Sequence, residues 1–193
     1  MEEQVEFKEA IADPTALGIT SFGLSLFVLS FYNAGIVGAN ALSVIVPMAL
    51  MTALIHFFAM WYGFRKNELF TAVVFGIYGM FWACYALINI GVASKLFTID
   101  ATTLLLFLIA YTIFTFYVFI ATFVTNKIVI YTLFVLLATF ILLDIGAAGY
   151  PKIFVLGGYV GMLDGLLALY ISAMILLNTM YGKTVLPAGE LKR

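Results

Sequence analysis

Three ionisable side chains, His56, Asp144 and Asp164, stand inside long apolar stretches of the sequence. Charge in such surroundings is costly, so each needs a partner or a task. Asp164 lies near the middle of the last stretch, and no Lys or Arg interrupts any of these stretches to neutralise it. Three states are open to it: a protonated acid, a carboxylate in a wet cavity, or a carboxylate held by hydroxyl or backbone donors. A buried carboxyl can hold a proton, which makes Asp164 a candidate for proton uptake and release; the plainer alternative is a protonated packing residue. His56 can offer a proton or a hydrogen bond to a carboxylate, or simply bond within the fold. An aspartic-acid pair sharing one proton would need both acids at one level. Asp144 falls near the end of its stretch and Asp164 near the middle of its own. No nucleotide-binding loop or Ser-His-Asp set is present either, so the chain is read as no enzyme.

The elements that position these groups follow from composition. Of 193 residues, 65% are hydrophobic and 10% are charged, against about 45–50% apolar and about 25% charged in soluble domains. That excludes a soluble globular enzyme and a disordered chain. A net charge of −1 leaves no basic footprint for nucleic acid. Cys84 is the only cysteine and His56 the only histidine, so a disulfide, a bis-histidine haem and a histidine-rich metal site are not expected, and no cofactor is. A spanning helix needs about 20 mainly apolar residues. Six runs qualify: 15–36, 41–62, 70–92, 101–124, 128–148 and 154–177. They are long and lack alternation, so an all-α membrane protein of six transmembrane helices is expected. The acidic stretch Glu2, Glu3, Glu6 and Glu9 precedes the first run without a positive region, so that run is read as a span, not a cleavable leader. Residues 1–14 form a tail that is either a short amphipathic helix, with Phe7 and Ile11 on one face, or frayed; 178–193 form a second tail. Lys8, Arg65, Lys66, Lys127, Lys183, Lys192 and Arg193 share one side against Lys95 and Lys152 on the other. Both termini are therefore expected in the cytoplasm.

The odd-numbered helices resemble one another. Phe22-Gly23 and Asn33-Ala34-Gly35 recur at one common offset as Tyr78-Gly79 and Asn89-Ile90-Gly91, and Asp144-Ile145-Gly146 continues the series. Three helical hairpins of one design are expected, a pattern common in transport proteins. Phe22, Tyr78 and Leu136 then lie roughly 10–12 Å in from the cytoplasmic ends of their helices, at 1.5 Å per residue. Three bulky groups at one depth can close a path as a hydrophobic constriction, or pack as ordinary bundle core. Glycines 157, 158, 161 and 165 mark close helix contact, within the chain or with another subunit. Phe57, Phe58, Trp61 and Tyr62 suit lipid contact.

Asp13-Pro14-Thr15-Ala16-Leu17-Gly18-Ile19 resembles the Asn-Pro-Ala-Pro-Leu-Gly-Leu signature of the acetate uptake transporter family, the succinate–acetate permeases. Phe64-Arg65-Lys66 with Tyr78-Gly79-Met80-Phe81-Trp82, Gly158-Tyr159-Val160-Gly161 through Tyr170, and Tyr181-Gly182-Lys183-Thr184-Val185-Leu186-Pro187 agree with later parts of the same family. The resemblance implies six helices with a pore in each protomer, a homo-hexamer in the cell membrane, and passage of acetate, in some members succinate. It implies an apolar constriction at Phe22, Tyr78 and Leu136, with Leu133 and Leu137 as alternatives to the last. The signature's Asn is Asp13 here and its second Pro is Ala16; Asp13 still suits a helix cap and Pro14 a helix entrance. His56 stands where the family usually has Gln, and Gly63 where it has Glu.

The expected path is narrow, passive or proton-coupled, with donors from Asn33 and Asn89 at the outer mouth. The amino end of the first helix near Leu17-Gly18 would serve the inner mouth. The competing expectations are a six-helix channel for uncharged solutes such as urea or short amides, and a scaffold subunit with no flux.

Overall fold

A computed structural model describes residues 12–191. The reading of the amino tail as amphipathic helix or frayed segment falls on residues that lie outside the described ones. The described residues form six α-helices: α1 Thr15–Asn33, α2 Leu42–Arg65, α3 Leu69–Ala93, α4 Ala101–Ala121, α5 Lys127–Ala147 and α6 Pro151–Tyr181. Short 3-10 turns, Ala39–Ala41 and Thr122–Val124, precede α2 and follow α4. Every one of the six is long and apolar enough to cross a membrane, and no strand occurs among the described residues.

Local chemistry sets the ends. Asp100 accepts the Thr103 N–H at 2.7 Å and Asn126 accepts the Val129 N–H at 3.1 Å, which starts α4 and α5. The Thr103 backbone bond holds the Asp100 carboxyl below its ordinary range. That capping contribution is complete above the unfolded value and is lost as pH falls through the lowered one. α1 stops at Asn33, short of the apolar run's end at Ile36, because Gly35 turns left-handed at φ +70° and Ile36 N–H reaches back to Phe31 O at 3.0 Å. α6 runs beyond its apolar run at both ends. Pro151 begins it without needing a partner for a missing N–H, and Gly182 ends it at φ +61°.

Each helix packs on its neighbour in sequence, and α6 returns to α1, so the six form a closed ring. Between α3 and α4 the contact is made by side chains: Phe81 meets Phe107 and Tyr111, and Tyr78 meets Phe114. The glycine face of α6 lies against α1 of the same chain. A Cβ on Gly158 would come within 2.7 Å of Ala34 Cα, and one on Gly165 within 2.9 Å of Phe27 N. Hydroxyls tie the same helices across apolar surroundings. Ser25 and Thr52 join α1 to α2 at 2.7 Å, and Thr20 with Ser172 joins α1 to α6. Phe58 and Trp61, and Met51 and Leu54 before them, face outward.

Beyond α6 the chain folds back. Asn178 accepts the N–H groups of Val185 and Leu186 at 2.7 and 3.0 Å and donates to Leu186 O at 2.9 Å. Gly189 O and Ala188 O then accept the first N–H groups of α5, from Lys127 and Ile128. Those two donors would otherwise lack partners at a helix start.

Candidate functional site

At the end of the bundle where α1 begins and α6 ends, the helices stand apart around a cavity of about 310 Å³. α1 contributes Thr15, Ile19 and Phe22, and α3 contributes Phe70, Thr71, Val74, Phe75 and Tyr78. α5 adds Val129, Thr132, Leu133 and Leu136, with Thr125 and Asn126 before it; α6 adds Ile171, Met174 and Ile175, and α2 gives only His56. The walls are apolar with a few hydroxyl and amide groups, and among the described residues no Asp, Glu, Lys or Arg lines them.

Phe22, Tyr78 and Leu136 meet at this cavity. They are 9%, 3% and 4% exposed, and the rings of Phe22 and Tyr78 lie 5.8 Å apart at 48°. Trp82 supports Phe22 edge-on at 6.3 Å, and Phe114 supports Tyr78 at 5.1 Å. The Tyr78 hydroxyl is paired with Thr115 Oγ1 at 2.9 Å, which fixes the ring. Leu133 borders the cavity beside Leu136; Leu137 is buried but does not line it.

The signature stretch acts through position. Asp13 Oδ1 accepts the Thr15 N–H at 2.8 Å, and Asp13, Pro14 and Leu17 border a groove against Phe58, Ala59 and Tyr62 on the outside of the bundle. Gly18 lies under Phe75, whose Cζ would be 2.6 Å from a Cβ there. The donors expected at the amino end of α1 near Leu17-Gly18 are in part engaged. The Gly18 N–H is already bonded to Pro14 O at 3.0 Å, because α1 starts early enough for Gly18 to close its first turn. What Gly18 offers is its carbonyl, which receives His56 Nε2 at 3.1 Å.

The other polar candidates are dispersed. His56 borders the cavity beside Phe22. Asp164 is wholly buried, neither of its oxygens has a hydrogen-bond partner, and it does not line the cavity. Asp144 Oδ2 accepts from Thr112 at 2.6 Å. Asn33 and Asn89 are half-buried and away from the cavity, and Asn89 donates to Tyr85 O of its own helix at 2.8 Å. Sequence reasoning passed over Thr115, Thr132 and Phe75. The one legible signal was Thr132 beside Leu133 and Leu136 at helical spacing.

The description of the GPR1/FUN34/yaaH family matches residues 2–192. The chain belongs to that family. This agrees with the resemblance seen in the signature, third-helix, sixth-helix and tail motifs. A relative in Escherichia coli, named succinate-acetate/proton symporter SatP, is 30% identical over 93% of this chain and 96% of its own length. A protein of Methanothermobacter thermautotrophicus is 27% identical over 96% of this chain. The solved structure of the bacterial acetate channel SatP superposes with a TM-score of 0.89 at 28% identity, covering 93% of this chain and 99% of that one. The six-helix, all-α architecture is thus the family's.

Proposed function

We propose that the chain conducts acetate and related small monocarboxylates across the cell membrane, with both termini in the cytoplasm and one pore in each protomer of a homo-hexamer. The observation that carries this reading is the meeting of Phe22, Tyr78 and Leu136 at the closed end of the cavity. Similarity to an acetate channel supports the substrate and favours it over the uncharged-solute alternative.

The chemistry is a problem of dehydration. A carboxylate loses strong hydration on entering an apolar site, and an uncompensated buried charge costs far more than a buried neutral hydroxyl. The hydroxyls of Thr71, Thr125 and Thr132 already donate, to Glu68 Oε2, Thr122 O and Ile128 O, so the Thr15 hydroxyl and the Asn126 amide N–H are the replacement donors left for a carboxylate. Phe22, Tyr78 and Leu136 offer none on the path, because the Tyr78 hydroxyl is turned to Thr115. The ring therefore selects by size and by how weakly a solute is hydrated, as apolar constrictions do.

Labelled acetate entry into liposomes holding the purified protein tests the reading. Entry well above that of protein-free liposomes, competed by propionate and not by urea, is expected. Protein-dependent urea entry with no acetate entry would replace the acid reading by the uncharged-solute one.

A further inference from the structure

His56 is the one cavity residue that can exchange a proton without first breaking a bond. The imidazole is fully buried, and Nε2 lies 3.1 Å from Gly18 O. A carbonyl oxygen can only accept, so the hydrogen sits on Nε2 and the neutral ring keeps a bare lone pair on Nδ1. Nδ1 is buried and has no hydrogen-bond partner. The ring cannot turn freely to find one. Phe22 stacks on it at 6.3 Å and 17°, and Phe75 meets it edge-on at 5.2 Å.

The groups around it leave this role unshared. From α1 the ring faces Gly18 and Phe22, and from α3 it faces Phe75 and Gly79, none of which titrates. Tyr78 is the other titratable group of the cavity, and its hydroxyl is held by Thr115. Asp164 stands apart from the cavity walls.

We propose that His56 Nδ1 is a proton-exchange site for the transported acid, at the cavity that Phe22 and Tyr78 also line. This rests on the carboxylate-conducting reading. The substrate crosses the apolar ring as the neutral carboxylic acid. At the cavity its O–H bond breaks, the proton bonds to the Nδ1 lone pair, and a carboxylate leaves a cationic imidazolium. In the reverse direction the imidazolium N–H returns the proton to an entering carboxylate. Atoms and charge balance, the imidazolium giving its proton to water in the cavity before the next acid arrives, and the Nε2–H bond to Gly18 O persists in both states.

Because the chain has a single histidine, selective 15N-histidine labelling of the full protein in lipid reports this one ring. Without acetate, at high pH, the Nδ1 signal should be that of an unprotonated ring nitrogen. Added acetate should shift it towards the protonated or hydrogen-bonded position at a pH where it is otherwise unmoved. In liposomes, His56→Gln should remove the pH-dependent step in acetate entry and slow that entry by about a hundredfold or more, the scale of a lost general acid–base group. A proton found on Nδ1 in the neutral ring, an Nδ1 signal indifferent to acetate, or an unchanged pH profile in the variant overturns the proposal. If the wild-type protein moves acetate in these cases, only the proton role falls. If it moves no acetate, the conduction reading falls and the proton role with it.

Discussion

Around His56 the helices leave a cavity of about 310 Å³, whereas along the glycine face that carries Asp164 they close almost to backbone contact. Both regions bury an ionisable side chain completely, and both leave polar atoms of it without a partner. The difference is access. The imidazole borders space that a small solute can enter, while the carboxyl on α6 is shut in a helix that presses on α1 through Gly158, Gly161 and Gly165. A buried polar group is therefore a poor guide to function by itself; a buried polar group beside a cavity is a better one.

The largest way to disturb this contrast is to pry open the tight region. Gly158→Leu places a side chain against the α1 backbone at Ala34, and overpacking of that kind costs about 3 kcal/mol. Loss of monodisperse protein in detergent, or a strongly lowered unfolding transition, is the expected result. A variant as stable as wild type would show that α1 and α6 are not held this closely.

Next in size comes the constriction. Phe22→Ala and Tyr78→Ala remove one wall of the ring and should raise the uptake of butyrate relative to acetate by roughly tenfold or more, the scale of hydrophobic-pocket discrimination. Competition assays in liposomes read this directly. Unaltered size selectivity in folded variants would take the ring out of the permeation path.

Asp164→Asn sharpens the comparison further. The amide keeps the shape of the carboxyl in a site that offers neither oxygen a partner, so stability should change by about 1 kcal/mol or less. The pH profile of acetate entry should stay as in wild type. Disappearance of pH dependence here, and not in His56→Gln, would move the proton role from the open region to the closed one. The smallest effect belongs to Asn178→Ala, which frees the tail from its three bonds. Hydrogen exchange at Lys127 and Ile128, whose N–H groups bond to the tail, should speed up while acetate flux is retained; unchanged exchange would mean that Asn178 does not hold the tail in place.

The six spans were legible because apolar length is a property of the sequence alone. The pairing of Phe22 with Tyr78 was legible because equal depth follows from helical rise. Other features depended on facts the residues do not carry singly. The end of α1 near Leu17-Gly18 looked like a source of free donors, yet the actual helix start leaves the Gly18 N–H bonded and its carbonyl engaged by His56. The tautomer of His56 follows only from that long-range contact between α1 and α2. The glycine face of α6 showed close approach without showing which helix approaches. Asn33 and Asn89, expected at the outer mouth, lie toward the opposite end of the bundle from this cavity.

The contact between α6 and α1 joins the first and last of the six helices. During synthesis, α1 to α5 emerge first and can assemble only an open crescent. Its α1 edge, with the hydroxyls of Thr20 and Ser30, faces lipid until the last helix arrives. Closure is thus a late event that depends on a helix made after all the others, and a nascent chain halted before Pro151 would expose a polar seam to the bilayer, a ready target for quality-control proteases.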